Sequence, residues 1–331
     1  MSGFFVLAGP MRRILILGGT GWLGQEIARE AVATRAEVVC LARGISGAVP
    51  EGAVLIRADR GIPGAYDQLD GDWDDVIELS HDLELVESAL EALAVRARHW
   101  TLVSTVSVYA RNDEQDADES AELVEPLAGG DYGAAKVAAE GATARWTSDR
   151  LLIVRPGLIA GPGDPSDRFG YWPARLARGG NVLAPTTAGR SVQVIDVTDL
   201  AHFIVQAGHN QFAGTVNAVG DQHPMESFFT TVADVAGFDG DIHHADDEWL
   251  GEHDVKFWAG PRSLPLWLPL SDAAFAGRSN AAFRAAGGVL RSLRDTVSRT
   301  LQDEIARGMD RQRRSGLTPH EESDLLAEHD R

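Results

Sequence analysis

The sequence predicts an α/β chain built on a doubly wound parallel sheet, with a small C-terminal substrate-binding subdomain. Three observations carry this. Ile14-Leu15-Ile16-Leu17 is a run of four large apolar residues, read as a strand buried on both faces, as parallel strands are. Glycines at 18, 19, 21 and 24 follow at once, and residues 25–34 continue as a helix, the strand–turn–helix context of a phosphate-cradling loop. Apolar strands then alternate with helical stretches through the N-terminal half, the pattern of a parallel sheet covered on both faces.

The elements follow in order. Residues 37–42 and 53–57 read as the second and third strands. Residues 73–79 give a fourth, and 82–98 a helix with apolar residues at 83, 85, 86, 90 and 93. Residues 99–108 read as the fifth strand, on which alternation puts Thr105 and Ser107 on one face and Ser104 on the other. Residues 112–125 are acidic without a periodic apolar face and read as a solvated loop. Asp131 precedes an alanine-rich helix over 132–146, and 151–154 is a sixth strand. Residues 191–197 alternate as a strand, 197–207 form a helix, and 214–219 are expected to be the last strand of the main sheet. Helices are expected over 225–235 and 293–305, with a short one at the end of the chain. Trp249, Trp258 and residues 264–269 make a proline-punctuated apolar lobe, expected to be mostly core.

Composition excludes several classes of function. The formal net charge is -19, which disfavours a nucleic-acid partner, since phosphate backbones are bound by basic surfaces. The single cysteine, Cys40, allows no intrachain disulfide and fits a reducing cytoplasmic setting. No apolar stretch reaches the length of a membrane span. Residues 1–10 lack the charged start of a signal peptide, and Met11 offers an alternative start that would make them a dispensable arm. The ten histidines show no metal-ligand spacing, so no metal is expected.

The chemistry begins at the glycine turn. A turn without side chains lets backbone N–H groups approach a pyrophosphate, and a helix start adds partial positive charge there. Thr20 adds a hydroxyl. An NAD site usually ends its second strand in an acid that accepts from the ribose hydroxyls; here Ala42-Arg43 stands instead, and a guanidinium suits a 2′-phosphate. The expected cofactor is therefore NADP, with NAD as the alternative. Asp59, after the third strand, is placed to reach the adenine or to cap a turn. Tyr132 and Lys136 lie on one helix face at i and i+4, where an ammonium favours the phenolate. Tyr132 is thus a candidate proton donor or acceptor.

With these pieces in place the chain resembles the extended short-chain dehydrogenase/reductase superfamily, the NAD-dependent epimerase/dehydratase-like family. The resemblance rests on residues 18–24, 104–109, 132–136, 155–164 and 194–200, and covers about residues 11–220. It implies a Rossmann fold with the domain at 11–165, 191–220 returning to it, and 166–190 and 221–331 as substrate subdomain and C-terminal helices. It selects the register Gly18, Gly21, Gly24 for the pyrophosphate and implies Thr105, Tyr132 and Lys136 as the catalytic set, Lys136 also holding the nicotinamide ribose. It extends the cofactor-binding set to Trp22, Leu23, Ser80 and Pro156, and puts Asp59 near the adenine. Ser107, Leu158, Arg168, Tyr171 and Trp172 fall on the substrate side, the two aromatics as stacking or core residues. Sugar-nucleotide members usually carry Asn where Leu158 stands here, which argues against a UDP-sugar epimerase. The expected activity is hydride transfer to or from a carbonyl or carbinol. The alternatives are an NAD(P)-dependent epimerase or dehydratase, and a non-catalytic dinucleotide- or RNA-associated protein. Family members often dimerise through helices equivalent to 82–98 and 132–146, whose alanine faces suit either a homodimer contact or core burial, and the expected partner is a small-molecule substrate.

Overall fold

The computed structural model describes residues 11–329, so the readings made for residues 1–10 lie outside the described residues. The strands are β1 (Arg13–Leu17), β2 (Glu37–Ala42), β3 (Ala53–Arg57), β4 (Asp75–Glu78), β5 (Trp100–Val103), β6 (Leu151–Pro156) and β7 (Leu158–Ala160). They continue with β8 (Val182–Pro185), β9 (Ser191–Asp196), β10 (Gly214–Ala218), β11 (Gln222–Pro224), β12 (Ile242–Ala245), β13 (Lys256–Trp258) and β14 (Ser263–Pro265). The helices are α1 (Trp22–Ala33), α2 (Leu83–Leu93), α3 (Tyr132–Thr147), α4 (Arg168–Ala177) and α5 (Val197–His209). After them come α6 (Met225–Ala236), α7 (Asp247–Glu252), α8 (Ala281–Ala285), α9 (Leu293–Arg307) and α10 (Pro319–His329). The chain divides into two units, one of residues 11–108, 124–155 and 201–216, the other of residues 109–123, 156–200 and 217–329.

The first unit is built on a seven-stranded sheet in the order β10-β6-β5-β4-β1-β2-β3, and each pairing from β6 to β3 is parallel. The strand order reverses between β1 and β4, the switch point beyond whose strand ends α/β sheets bind ligands. Ile14 to Leu17 are fully buried, as a strand covered on both faces requires. Leu15, Leu17, Trp73, Val86, Leu90 and Leu93 share one core with Trp100, Ala139 and Ala142. Asp82 caps α2 through Glu84 N and Leu85 N at 3.0 and 3.3 Å.

The second unit has its own core, with Phe169, Tyr171, Trp172, Phe228, Phe229 and Trp267 at its centre. Its sheets are small: β11-β9-β7, β12-β8 and β13-β14. Helices α4, α6 and α9 pack on one another. Two expectations are corrected here. The region 191–196 does not return to the main sheet, because β9 pairs with β7 and β11 in a sheet of the second unit. The boundary accordingly falls after Arg155 rather than at 165, and residues 109–123 also belong to the second unit.

Candidate active site

The glycine turn sits at the switch point of the first unit. Gly18 has φ +101°, a conformation that demands glycine, and its N–H donates to Leu41 O at 3.0 Å. A Cβ at Gly24 would stand 2.6 Å from Gly18 O and 2.8 Å from Gly19 Cα, so α1 starts tightly against the turn only because that side chain is missing. A Cβ on Gly21 would meet nothing nearer than Gly18 O at 3.7 Å. Gly21 is also the N-cap of α1, where no side chain caps the helix and no acidic residue occupies the first turn. A helix start without a side-chain cap or an acidic first turn fits the pyrophosphate of a dinucleotide. Thr20 is buried in the turn, and Trp22 and Leu23 are the first helical residues.

Arg43, the candidate for the far end of a dinucleotide, is exposed just past β2 and makes no side-chain hydrogen bond among the described residues. Arg57, the last residue of β3, pairs in register with Ala42, and a Cβ at Gly44 would stand 2.7 Å from its Nη1. Arg57 was not legible as a site residue, because only the β2–β3 register brings it to this turn. Asp59 is exposed and accepts from Gly61 N at 3.0 Å, the turn-capping role. Its neighbour Arg60 bonds the fully buried Glu78, at 3.0 Å to Oε1, and Tyr66 Oη at 3.1 Å. Burial alone would lower the Arg60 guanidinium, but Glu78 outweighs it and holds the group above its ordinary value. Ser80 N donates to the same carboxylate at 2.8 Å, which anchors the chain after β4.

The catalytic candidates gather at the ends of β4 and β5. The fifth strand stops at Val103 instead of reaching 108, and Val106–Val108 form a short 3-10 turn. Thr105 Oγ1 accepts from Ser107 N at 3.1 Å and bonds Ser107 Oγ at 3.3 Å, so the two hydroxyls meet through this turn and not through strand alternation. Ser104 points elsewhere, into a buried network with Glu140, which Arg155 holds at 3.0 and 2.7 Å. Helix α3 starts directly on the hydroxyl turn: a Cβ at Gly133 would stand 2.3 Å from Ser107 O. Asp131 caps this helix through Ala134 N at 2.9 Å. Tyr132, its first residue, is 50% exposed, with its ring against His81. Lys136, one turn on, is 2% exposed and donates to Ser80 O at 2.8 Å, Leu79 O at 3.4 Å and Val103 O. Three carbonyls use all three ammonium protons. Burial pushes Lys136 down to about 8, against the opposing pull of Glu78 and Glu140.

The second unit holds the other candidates. Pro156 ends β6, and Leu158 opens β7 with 4% exposure. Tyr171 and Trp172 are 2% and 1% exposed, and Trp172 Nε1 donates to Pro265 O at 2.7 Å. Both are core residues, which removes the stacking reading: α4 is buried on nearly every side, so its aromatics have no free face. Arg168 does meet an aromatic, but it is Trp258, 5.2 Å from the ring centroid. Trp258 has φ +68°, unusual for a bulky residue, and packs edge-on to Phe275 at 5.3 Å. With Leu158, Val192 and Leu266 these aromatics line a narrow slot that Ser191 and Gln193 share. Nothing in the spacing of Trp258 and Phe275 marks them beforehand.

Comparison with known proteins agrees with the fold. Residues 74–220 match the NAD dependent epimerase/dehydratase family. The 2'-dehydrokanamycin reductase of Streptomyces kanamyceticus is 27% identical over 295 residues, spanning 84% of this chain and 82% of that protein. A crystal structure of a putative epimerase from Burkholderia cenocepacia superposes with TM-score 0.70 at 21% identity, covering 90% of this chain and 100% of the other. UDP-glucuronic acid 4-epimerase from Bacillus cereus, in complex with NAD, superposes with TM-score 0.66 at 14% identity, over 89% and 99%. RMD from Pseudomonas aeruginosa, complexed with NADPH, gives 0.63 at 18% identity, over 90% and 100%. The fold and these likenesses thus define an NAD(P)-dependent α/β enzyme. In particular, its residues 74–220 match the epimerase/dehydratase family, it is similar to a reductase over most of its length, and its fold is that of the epimerase structures. No helix among the described residues is long and apolar enough to cross a membrane.

Proposed function

We propose that the chain is an NADP-dependent oxidoreductase acting on a carbonyl or carbinol, with Tyr132 as general acid/base. The observation that carries this is the seating of α3 on the Thr105–Ser107 turn through Gly133, which joins a phenol, two hydroxyls and a buried lysine at one sheet end. The bound cofactor supplies or accepts the hydride. Thr105 and Ser107 orient the substrate oxygen by hydrogen bonding. Tyr132 gives that oxygen a proton in reduction and takes one in oxidation. Lys136 holds the ends of β4 and β5 together and keeps positive charge beneath the site. Arg43 and Arg57, flanking the turn at Gly44, support NADP over NAD through a 2′-phosphate. In the second unit Leu158 offers an apolar side chain where sugar-nucleotide members usually carry Asn, which favours a substrate other than a sugar nucleotide.

The test is NADPH oxidation against a panel of carbonyl compounds. Tyr132→Phe should lower turnover about 10²- to 10⁴-fold while NADPH still binds. Full activity in that variant would sink the assignment. The epimerase or dehydratase reading draws support from the epimerase structures. It predicts cofactor retained through purification and no net NADPH consumption. A homodimer through α2 and α3 belongs to the same proposal. Exposed Val95 (82%), just past the end of α2, and Trp146 (47%) on α3 support it, and a monomeric mass in solution would refute it.

A further inference from the structure

His81 carries no motif, yet its ring packs against Tyr132 of the candidate catalytic set. Ser80 gives its carbonyl to Lys136, and the next residue lays its ring against Tyr132, with centroids 5.5 Å apart and planes at 68°. Edge-to-face contact is the favourable geometry for an aromatic pair. Tyr132 is the first residue of α3 and half exposed, so its ring lacks the full enclosure that fixes a core side chain. His81 is exposed too and lines a cavity of about 460 Å³ with Asp82, Leu83, Glu84, Gly130 and Ala135.

The charged groups of the surrounding elements are accounted for. On α2, Asp82 caps the helix, and Glu84 is exposed. Before and within α3, Asp131 is the N-cap, and the Lys136 ammonium is bonded to three carbonyls. At the end of β4, Glu78 is bonded to Arg60. Residues 127–130 bring no charged side chain. Imidazole is the side-chain type in this set whose charge changes between pH 5 and 8.

We propose that His81 is a positioning residue for proton transfer at Tyr132: its ring orients the phenol, and its charge eases or resists release of the phenol proton. The proposal rests on the reading of Tyr132 as general acid/base. A cation beside the ring favours the phenolate, so the charged imidazole assists donation and the neutral one does not. The proton passes from the phenol to the substrate oxygen in reduction and returns by the same route in oxidation. His81 keeps its own proton throughout.

The test needs no substrate. The full chain is labelled with 3-fluorotyrosine at its four tyrosines and followed by ¹⁹F NMR, with Tyr132 assigned through Tyr132→Phe. The Tyr132 resonance should show an inflection between pH 5 and 8. His81→Phe, which keeps a ring in place, should abolish the inflection, and His81→Ala should also shift the resonance toward that of a free tyrosine. The other three resonances report that both variants are folded. A flat Tyr132 resonance over this range, or an inflection that survives His81→Phe, overturns the proposal. Full turnover by Tyr132→Phe, together with the inflection in the wild-type chain, would instead remove the acid/base reading beneath it.

Discussion

Substituting Gly24 and Gly21 separately should pull folding and cofactor binding apart. A Cβ at Gly24 would sit 2.8 Å from Gly19 Cα and 2.6 Å from Gly18 O. Reaching an ordinary carbon contact of about 3.5 Å moves the start of α1 by roughly 0.7 Å. A hydrogen bond of about 2.9 Å to a phosphate oxygen would stretch to about 3.6 Å, which is no longer a bond. Losing one charge-assisted bond costs about 1.5–3 kcal/mol, a roughly 10- to 150-fold loss of affinity. The crowding itself costs about 1–3 kcal/mol of stability. Gly21→Ala meets nothing in the chain closer than 3.7 Å, and its φ of -74° suits alanine, so folding should hold. Its methyl would stand at the open helix mouth, where the phosphate belongs. NADPH fluorescence titration and urea unfolding on both variants decide the matter. Gly24→Ala should lose stability and affinity, and Gly21→Ala affinity alone. If Gly21→Ala binds NADPH as the wild type does, the turn is not the pyrophosphate cradle.

Three further outcomes are expected. Arg43→Ala and Arg57→Ala should each weaken NADPH about tenfold or more while leaving NADH unchanged, as the loss of a charged hydrogen bond to a 2′-phosphate implies; wild-type protein stabilised more by NADH than by NADPH at equal concentration would defeat the NADP reading. His99 is buried with Nδ1 2.9 Å from Asp75 Oδ1 and Nε2 2.9 Å from Phe212 O, two acceptors that call for the doubly protonated ring. Burial opposes that charge, but Asp75 wins and raises the imidazole above its ordinary value. The pair therefore contributes fully below about pH 6.5 and its contribution fades as pH climbs through the raised value. Asp75→Asn should cost about 3–5 kcal/mol in the acid range and less at pH 9, and a gap independent of pH in urea unfolding would contradict this. Burial pushes the Cys40 thiol up to about 12, and a Cβ on Gly19 would stand 2.4 Å from its sulfur. Iodoacetamide at pH 8 should label it only after unfolding, so rapid labelling of the native protein would be the adverse result.

The first unit was legible because its signals are long and local. Four fully buried residues in a row announce β1, and the glycine turn and the Tyr132/Lys136 spacing stand in contiguous sequence. What escaped detection depends on partners distant in the chain. Strands of three residues such as β7, β11, β13 and β14 are too short to show a period of two. The fifth strand was read too long because Thr105 offers its hydroxyl to Ser107 N and draws the backbone out of the ladder. Tyr171 and Trp172 look the same in sequence whether they stack on a ligand or on Phe229. Only the burial of α4 decides, and the 4.7 Å Trp172–Phe229 contact records the outcome. His81 comes beside Tyr132 through the packing of α3, and Arg57 beside Gly44 through the register of β3, and no spacing encodes either.

The chain passes between its two units after residues 108, 123, 155, 200 and 216. No single cut releases either unit whole, so truncation at any one point removes strands or helices from both. The nucleotide-binding half cannot be borrowed as a cassette, and a fusion or circular permutation that respects the fold must open the chain inside one unit's loops. Leu158, which opens β7 of the second unit, stands one intervening residue after β6 of the main sheet, so one continuous segment builds both units.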